Sequence, residues 1–202
     1  MMEDVQTLLE LFGVPYVLAP TEAESQCAAL EQLGLVDGIV TDDSDAFLFG
    51  ASNVFKNIFS DKSYLEWYRM ESIQSEMSLD RRALINLALL LGSDYTEGVR
   101  GVGPVNAVEI HAAFQGQLDE FKRWMYTPEG DYDFTRGAQG DERAASQRRD
   151  FSKRHINVRK GWDVGTEFPS ELVVKAYLEP VVDKSEERFE WAEPNVDALM
   201  GA

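Results

Sequence analysis

The amino-terminal half of the chain predicts an α/β fold with a parallel sheet flanked by helices, and a helical region should follow it. Two short apolar runs of buried-strand length, Pro15-Tyr16-Val17-Leu18-Ala19 and Gly38-Ile39-Val40-Thr41, bracket a stretch with helical spacing. Strand, helix, strand in that order is βαβ-like, which implies a parallel sheet. Open parallel sheets bind ligands beyond the carboxyl ends of their strands. Glu22 and the run Asp42-Asp43-Ser44-Asp45 both follow such an end, so the two acidic motifs are expected to face one crevice.

Element by element, Val5 to Phe12 reads as a helix with Val5, Leu8, Leu9 and Phe12 on one face, ended by Gly13. Pro20 stops the first strand. Thr21 is the expected N-cap of a helix from Glu22 to about Leu33, closed by Gly34. Asn53 to Ile58 and Tyr64 to Tyr68 read as two strands around the turn Ser60-Asp61-Lys62-Ser63. Ser78-Leu79-Asp80 caps a helix running through Leu91 that is apolar on most faces, hence buried, and its end is expected to deliver Asp94 inwards. A tight turn, Gly98 to Pro104, precedes a helix from about Val105 to Phe114. Residues 115–140 are rich in Gly, Asp and aromatics and read as irregular, and the tail from Phe168 to Leu199 as short helices broken by prolines. The expected division is 1–77 for the α/β region and 78–202 for the helical region, with the turn and helix at 98–114.

Composition bounds the function. At 202 residues and 44% hydrophobic content the chain can bury one substantial core. No apolar run approaches the roughly 20 residues that span a bilayer. The start, Met1-Met2-Glu3-Asp4, lacks the basic and apolar stretches of a signal peptide, so a soluble, non-secreted protein is expected. Cys27 is the single cysteine and reads as a small core residue in a reducing compartment. A net charge of −17 argues against a nucleic-acid partner overall. Local sign says otherwise: between Arg143 and Lys160 seven basic residues, among them Arg148, Arg149, Lys153 and Arg154, face one acid, Asp150. That run is either a solvated helix face or a phosphate-contacting surface.

Five carboxylates, Glu22, Glu24, Asp43, Asp45 and Asp94, lie in three motifs at element ends. Gathered acids repel unless a cation or proton compensates, so their convergence would point to divalent metal. Each also has a plain structural reading. Thr21-x-x-Glu24 matches a capping box, Glu22 suits the helix dipole, Asp43 and Asp45 fit one face of an extended turn after a strand, and Asp94 can cap a turn.

Together these residues carry a resemblance. Phe12-Gly13-Val14-Pro15-Tyr16, Ala19-Pro20-Thr21-Glu22-Ala23-Glu24, Thr41-Asp42-Asp43-Ser44-Asp45, Leu91-Gly92-Ser93-Asp94-Tyr95 and Gly101-Val102-Gly103-Pro104 resemble, in order, the internal nuclease region of the flap endonuclease family. The wording of the acidic motifs, and the tail Ala176 to Asp183 with Phe189-Glu190-Trp191, is most similar to the xeroderma pigmentosum group G subgroup. The resemblance implies a PIN-like 5′-nuclease fold with a helix-turn-helix that grips duplex backbone. It also implies a nuclear, structure-specific phosphodiesterase of nucleotide excision repair that cuts DNA near single/double-strand junctions. Its cofactors would be two Mg²⁺ ions, with Mn²⁺ as a substitute, held by Glu22, Glu24, Asp43, Asp45 and Asp94, and a monovalent cation at the 98–104 turn. DNA contacts would come from Gly98, Arg100, Gly101, Gly103, Arg148, Arg149, Lys153 and Arg154.

Two departures from the family pattern bear on activity. The family's amino-terminal nuclease region, with its opening strand, further aspartates and a basic residue, does not precede the internal motif here, so a fragment with exposed sheet edges and little cleavage of its own is expected. Val105 and Asn106 also stand where many relatives carry basic residues. Three readings stay open: a metal-dependent endonuclease core, a non-cleaving duplex-DNA-binding module, and a protein-interaction domain.

Overall fold

In the computed structural model, residues 2–59, 64–137 and 140–201 are described, and the chain divides into two compact units, Met1–Arg69 with Pro180–Ala202, and Met70–Glu179. The first is a small mixed α/β body. Its helix α1 (Met2–Phe12) ends where Gly13 adopts φ +68°, as the sequence requires of a helix stop. Helix α2 (Ala23–Gln32) closes in a paired-bond cap, with Gly34 N–H donating to Glu31 O and Leu35 N–H to Leu30 O. Strand β1 (Ile39–Val40) leads through the short helix α3 (Asp45–Leu48) to β2 (Asn53–Lys56), and β3 (Glu66–Arg69) completes the sheet.

The sheet is smaller than the sequence reading. β1 pairs parallel with β2 (Ile39 opposite Val54), and β2 pairs antiparallel with β3 (Val54 opposite Tyr68). The turn expected at Ser60-Asp61-Lys62-Ser63 lies outside the described residues. Pro15 to Ala19 forms no strand, so the expected βαβ unit beginning there is not made. A parallel strand has no local partner and needs a neighbour's ladder, and Pro15 contributes no N–H to one. The apolar character of the region is therefore exposed: Val17 is 38% and Leu18 61% accessible, and α1 buries none of its residues. The core of this unit sits instead between α2, α3 and the sheet, in Ala28, Ala29, Ile39, Phe47, Leu48 and Val54. Glu31 fastens α2 to the sheet by accepting the N–H groups of Ser52 (2.6 Å) and Asn53 (2.8 Å).

The second unit is helical: α4 (Met70–Met77), α5 (Arg81–Leu91), α6 (Pro104–Phe114), α7 (Leu118–Tyr126), α8 (Glu142–His155), a 3₁₀ turn at Val158–Gly161 and α9 (Glu171–Leu178). Asp80 caps α5 as expected, accepting from Ala83 N–H at 2.7 Å. The stretch 115–140 is not wholly irregular: Leu118, Phe121 and Trp124 line one side of α7 and are buried. These rings join Phe114, Phe151, Trp162 and Phe168 in edge-to-face and tilted contacts of 5.3–6.5 Å, which form the centre of the unit. Trp and Phe at helical spacing carried that information, and the surrounding Gly and Asp masked it. The terminal helix α10 (Val196–Gly201) returns to the first unit and packs on α1.

Between α5 and α6 the chain turns tightly on its glycines. Gly98 has φ +74°, and a Cβ there would lie 2.4 Å from Gly92 N and 2.6 Å from Leu91 C, both backbone. Gly101 has φ +88°, with Gly161 O 2.6 Å from a Cβ, while the neighbouring backbone of Arg100 exchanges two hydrogen bonds with Asp163. Nothing stands within 4 Å of a Cβ on Gly103, the N-cap of α6. Gly98→Ala is therefore expected to destabilise this unit by about 2–3 kcal/mol, and Gly103→Ala by less than about 1 kcal/mol, in urea unfolding followed by tryptophan fluorescence.

Candidate functional site

The two amino-terminal acid motifs are built by unlike local structures. Glu22 is the N-cap of α2 and makes no side-chain cap bond, although its peptide oxygen accepts from Gln26 N–H (3.2 Å) and Ser25 Oγ–H (2.8 Å). Thr21 does not cap. Its hydroxyl instead donates to Val181 O at 2.9 Å, so the capping box considered for Glu24 is not formed and Glu24 stands half-buried in the first helical turn. Cys27, one turn on, has its thiol pushed up by burial and then by the Glu24 charge, which suits an unreactive packing residue.

The second motif follows the carboxyl end of β1, where the parallel-sheet argument put it. It is not extended. Asp43 Oδ1 accepts the N–H of Asp45 at 2.9 Å and the N–H of Asp43 bonds Thr41 Oγ1 at 3.0 Å, a folded turn that opens α3. Asp42 turns to the sheet and accepts Asn57 N–H at 2.8 Å. Asp43 and Asp45 are thus held together by their own backbone rather than by strand alternation. Among the described residues, no three His, Cys, Asp or Glu side chains gather into a group able to hold a metal. The four carboxylates of this unit are nevertheless oxygen donors throughout, and that chemistry fits a hard divalent ion such as Mg²⁺.

Asp94 lies in the helical unit. It is exposed rather than delivered inwards, because the chain leaves α5 at Gly92 (φ +97°) and folds into a turn in which Ser93 and Thr96 bond each other's backbone. In the same unit α6 starts at Gly103-Pro104 without a side-chain cap, and Val105 is 74% accessible beside it. Its N-cap glycine has no side chain to satisfy the first-turn amides, a setting that suits an anion.

The basic run separates into two classes. Arg149, Lys153 and Arg154 are exposed on α8, Lys153 with Asp150 at 3.4 Å and Arg154 with Glu109 at 3.1 Å. Arg148 is fully buried: its guanidinium bonds Arg136 O, Gln117 Oε1 (3.0 Å) and Phe114 O (3.5 Å) and lies over the Phe114 ring. It holds the α6–α7 connection to α8 and cannot reach a phosphate from there. Sequence reasoning also missed Arg159, which bonds the carbonyls of Trp124 and Thr127 and covers the Trp124 ring at 4.8 Å. In this run of basic residues nothing marks the buried Arg148 except its helical spacing against Ala144, Ala145 and Phe151, the buried face of α8.

Comparison with known proteins places this geometry. The XPG I-region family model matches residues 13–94. Over 98% of its length the chain is 46% identical to DNA repair protein RAD2 of Saccharomyces cerevisiae, of which it covers 18%, and over 96% it is 43% identical to the DNA excision repair protein ERCC-5 homolog of Xenopus laevis, of which it covers 16%. The solved catalytic core of Rad2 in complex with DNA substrate superimposes with a TM-score of 0.79 at 44% identity, covering 99% of this chain and 60% of that one. The chain carries an XPG I-region and shows close homology to the RAD2/XPG family. It spans under a fifth of the curated relatives and about three fifths of the solved core. The small central sheet flanked by helices matches the RAD2/XPG architecture. The matched I-region takes in all five acids, with Asp94 its last residue.

Proposed function

We propose that this chain is the internal part of a metal-dependent, structure-specific DNA endonuclease of the RAD2/XPG type, acting on phosphodiesters at single/double-strand junctions during nucleotide excision repair in the nucleus. The observation that carries the reading is its likeness, at 44% identity and a TM-score of 0.79, to a catalytic core solved with its DNA substrate. Glu22, Glu24, Asp43, Asp45 and Asp94 are the carboxylates proposed to hold Mg²⁺. When bound, Mg²⁺ supplies Lewis acidity to water and offsets charge on the phosphodiester, and Mn²⁺ does the same.

The chain's own residues have distinct tasks in this reading. The backbone-fastened turn at Asp43 and Asp45 presents anionic oxygens with little freedom, which lowers the cost of ordering them. The start of α6 offers peptide N–H groups to duplex phosphate, Gly98 and Gly101 keep that turn tight, and Gly103 leaves it open. Arg100, Arg149, Lys153 and Arg154 are exposed cations suited to backbone phosphates, contacts that position a duplex without reading its sequence. If Arg149 and Lys153 act so, the double substitution to Ala lowers the slope of log binding constant against log salt by about 2. The exposed Lys153–Asp150 pair lost with it contributes well under 1 kcal/mol, so folding is retained.

The test is a labelled bubble or flap duplex incubated with the chain and Mg²⁺ or Mn²⁺, with and without a relative's amino-terminal nuclease region supplied in cis or in trans. Metal-dependent incision near the junction is expected with that region present. Duplex binding without incision in either case would favour the second reading, a binding module, to which the lack of a gathered acid cluster among the described residues lends weight. Neither binding nor incision would leave a protein-interaction domain.

A further inference from the structure

We infer that Gln26 is a positioning residue for the Glu22 and Glu24 carboxylates, and that it works by clamping residues 180–195 across the first unit as a strap; the inference rests on the reading of those two acids as metal-holding. Gln26 is 3% exposed, a buried polar side chain whose partners are not on its own helix. Its Oε1 accepts the N–H of Asp183 at 2.7 Å and its Nε2 donates to Asp183 O at 3.0 Å, so one amide satisfies both backbone groups of one strap residue. A primary amide is the side-chain group that can donate and accept in this pairwise fashion. The strap is pinned again where Thr21 Oγ1 donates to Val181 O (2.9 Å), Ala192 N–H to Gly13 O (3.0 Å) and Asn195 N–H to Leu11 O (2.8 Å). Gly13 is required there, since a Cβ would stand 2.1 Å from Ala192 O.

These pins fall on both sides of the first turn of α2, the turn that carries Glu22 and Glu24. That turn has no side-chain cap of its own, and an uncapped helix start frays. The backbone N–H of Gln26 closes the turn on Glu22 O while its side chain ties the same turn to the strap. Between the pins the strap is exposed at Lys184 and Arg188 and spans a cavity of about 300 Å³ lined by Pro15, Tyr16, Leu30 and Phe189. It is therefore held by its hydrogen bonds more than by packing. Loss of the clamp frees the strap and with it the orientation of the two carboxylates.

The experiment uses the intact chain with Gln26→Ala and, as a milder exposed change that keeps the fold, Thr21→Val. Two quantities are read: the rate of tryptic cleavage after Lys184 and Arg188, and the Mn²⁺ dissociation constant from the electron paramagnetic resonance signal of the free ion. Gln26→Ala is expected to speed cleavage at both sites and to weaken Mn²⁺ binding about tenfold, the lower end for loss of a residue that supports metal ligands. Thr21→Val should move both in the same direction by less. Faster cleavage with unchanged Mn²⁺ affinity would overturn the positioning role while leaving the nuclease reading intact, and an unchanged tryptic pattern would overturn the clamp. Wild-type Mn²⁺ binding that is indifferent to Glu22→Gln with Glu24→Gln would instead overturn the metal reading on which the inference rests.

Discussion

Asp43→Asn is expected to lower metal-dependent incision by on the order of 100-fold or more while leaving the thermal midpoint in place. The two effects separate because Asp43 has two separable features. Its Oδ1 accepts the N–H of Asp45 in the turn that leads into α3, and an amide oxygen at the same position still accepts that bond. The negative charge is a different matter, since an amide is a far weaker partner for a hard divalent ion than a carboxylate. Asp43→Ala removes both features and should add about 1 kcal/mol of destabilisation for the lost turn bond. The measurements are initial rates on a bubble substrate, with the amino-terminal nuclease region supplied, and thermal unfolding of each variant. Full activity in the Asn variant would assign Asp43 to the turn alone. A midpoint lowered in the Asn variant as far as in the Ala variant would show that the turn needs the charge.

Arg148→Ala is expected to destabilise the helical unit by about 3–5 kcal/mol, lowering its midpoint by roughly 10 °C. Truncation strands the carbonyls of Arg136 and Phe114 and the amide oxygen of Gln117, and it empties a site at 0% exposure beside Phe114. Its neighbour Arg149, exposed on the same helix, should tolerate Ala within about 0.5 kcal/mol. Near-ultraviolet circular dichroism reports the difference directly, because Trp124 and Phe114 share the cluster that Arg148 closes. Equal stability of the two variants would return Arg148 to the surface, where a phosphate could reach it.

The contrast between these two arginines shows what is legible in a sequence. Adjacent identical letters in a basic run have opposite fates, because α8 turns Arg148 towards Ala144, Ala145 and Phe151 and Arg149 away. Helical periodicity held that information, yet a charged residue on the apolar side is read as solvated until carbonyl acceptors from other elements are seen to await it. Asp80 could be recognised as a cap directly, since capping involves residues three apart. Thr21 looked like a cap by the same rule and is not one, because Val181, distant in sequence, takes its hydroxyl. Pro15 to Ala19 has strand composition but no strand, since a ladder is a property of two segments and no described segment pairs with it.

By itself the sequence determined several element ends, such as the helix stops at Gly13 and Gly34 and the Asp80 cap, together with the uneven charge, the family likeness and the placing of acids at element ends, because propensity, caps and motif wording are local properties. Tertiary structure alone decided that Arg148 braces a core, that Thr21 bonds Val181 instead of capping a helix, and that Gln26 grips a strap more than 150 residues away. The physical reason is that a polar group's role depends on which partner satisfies it, and the partners of buried polar groups come from elsewhere in the chain.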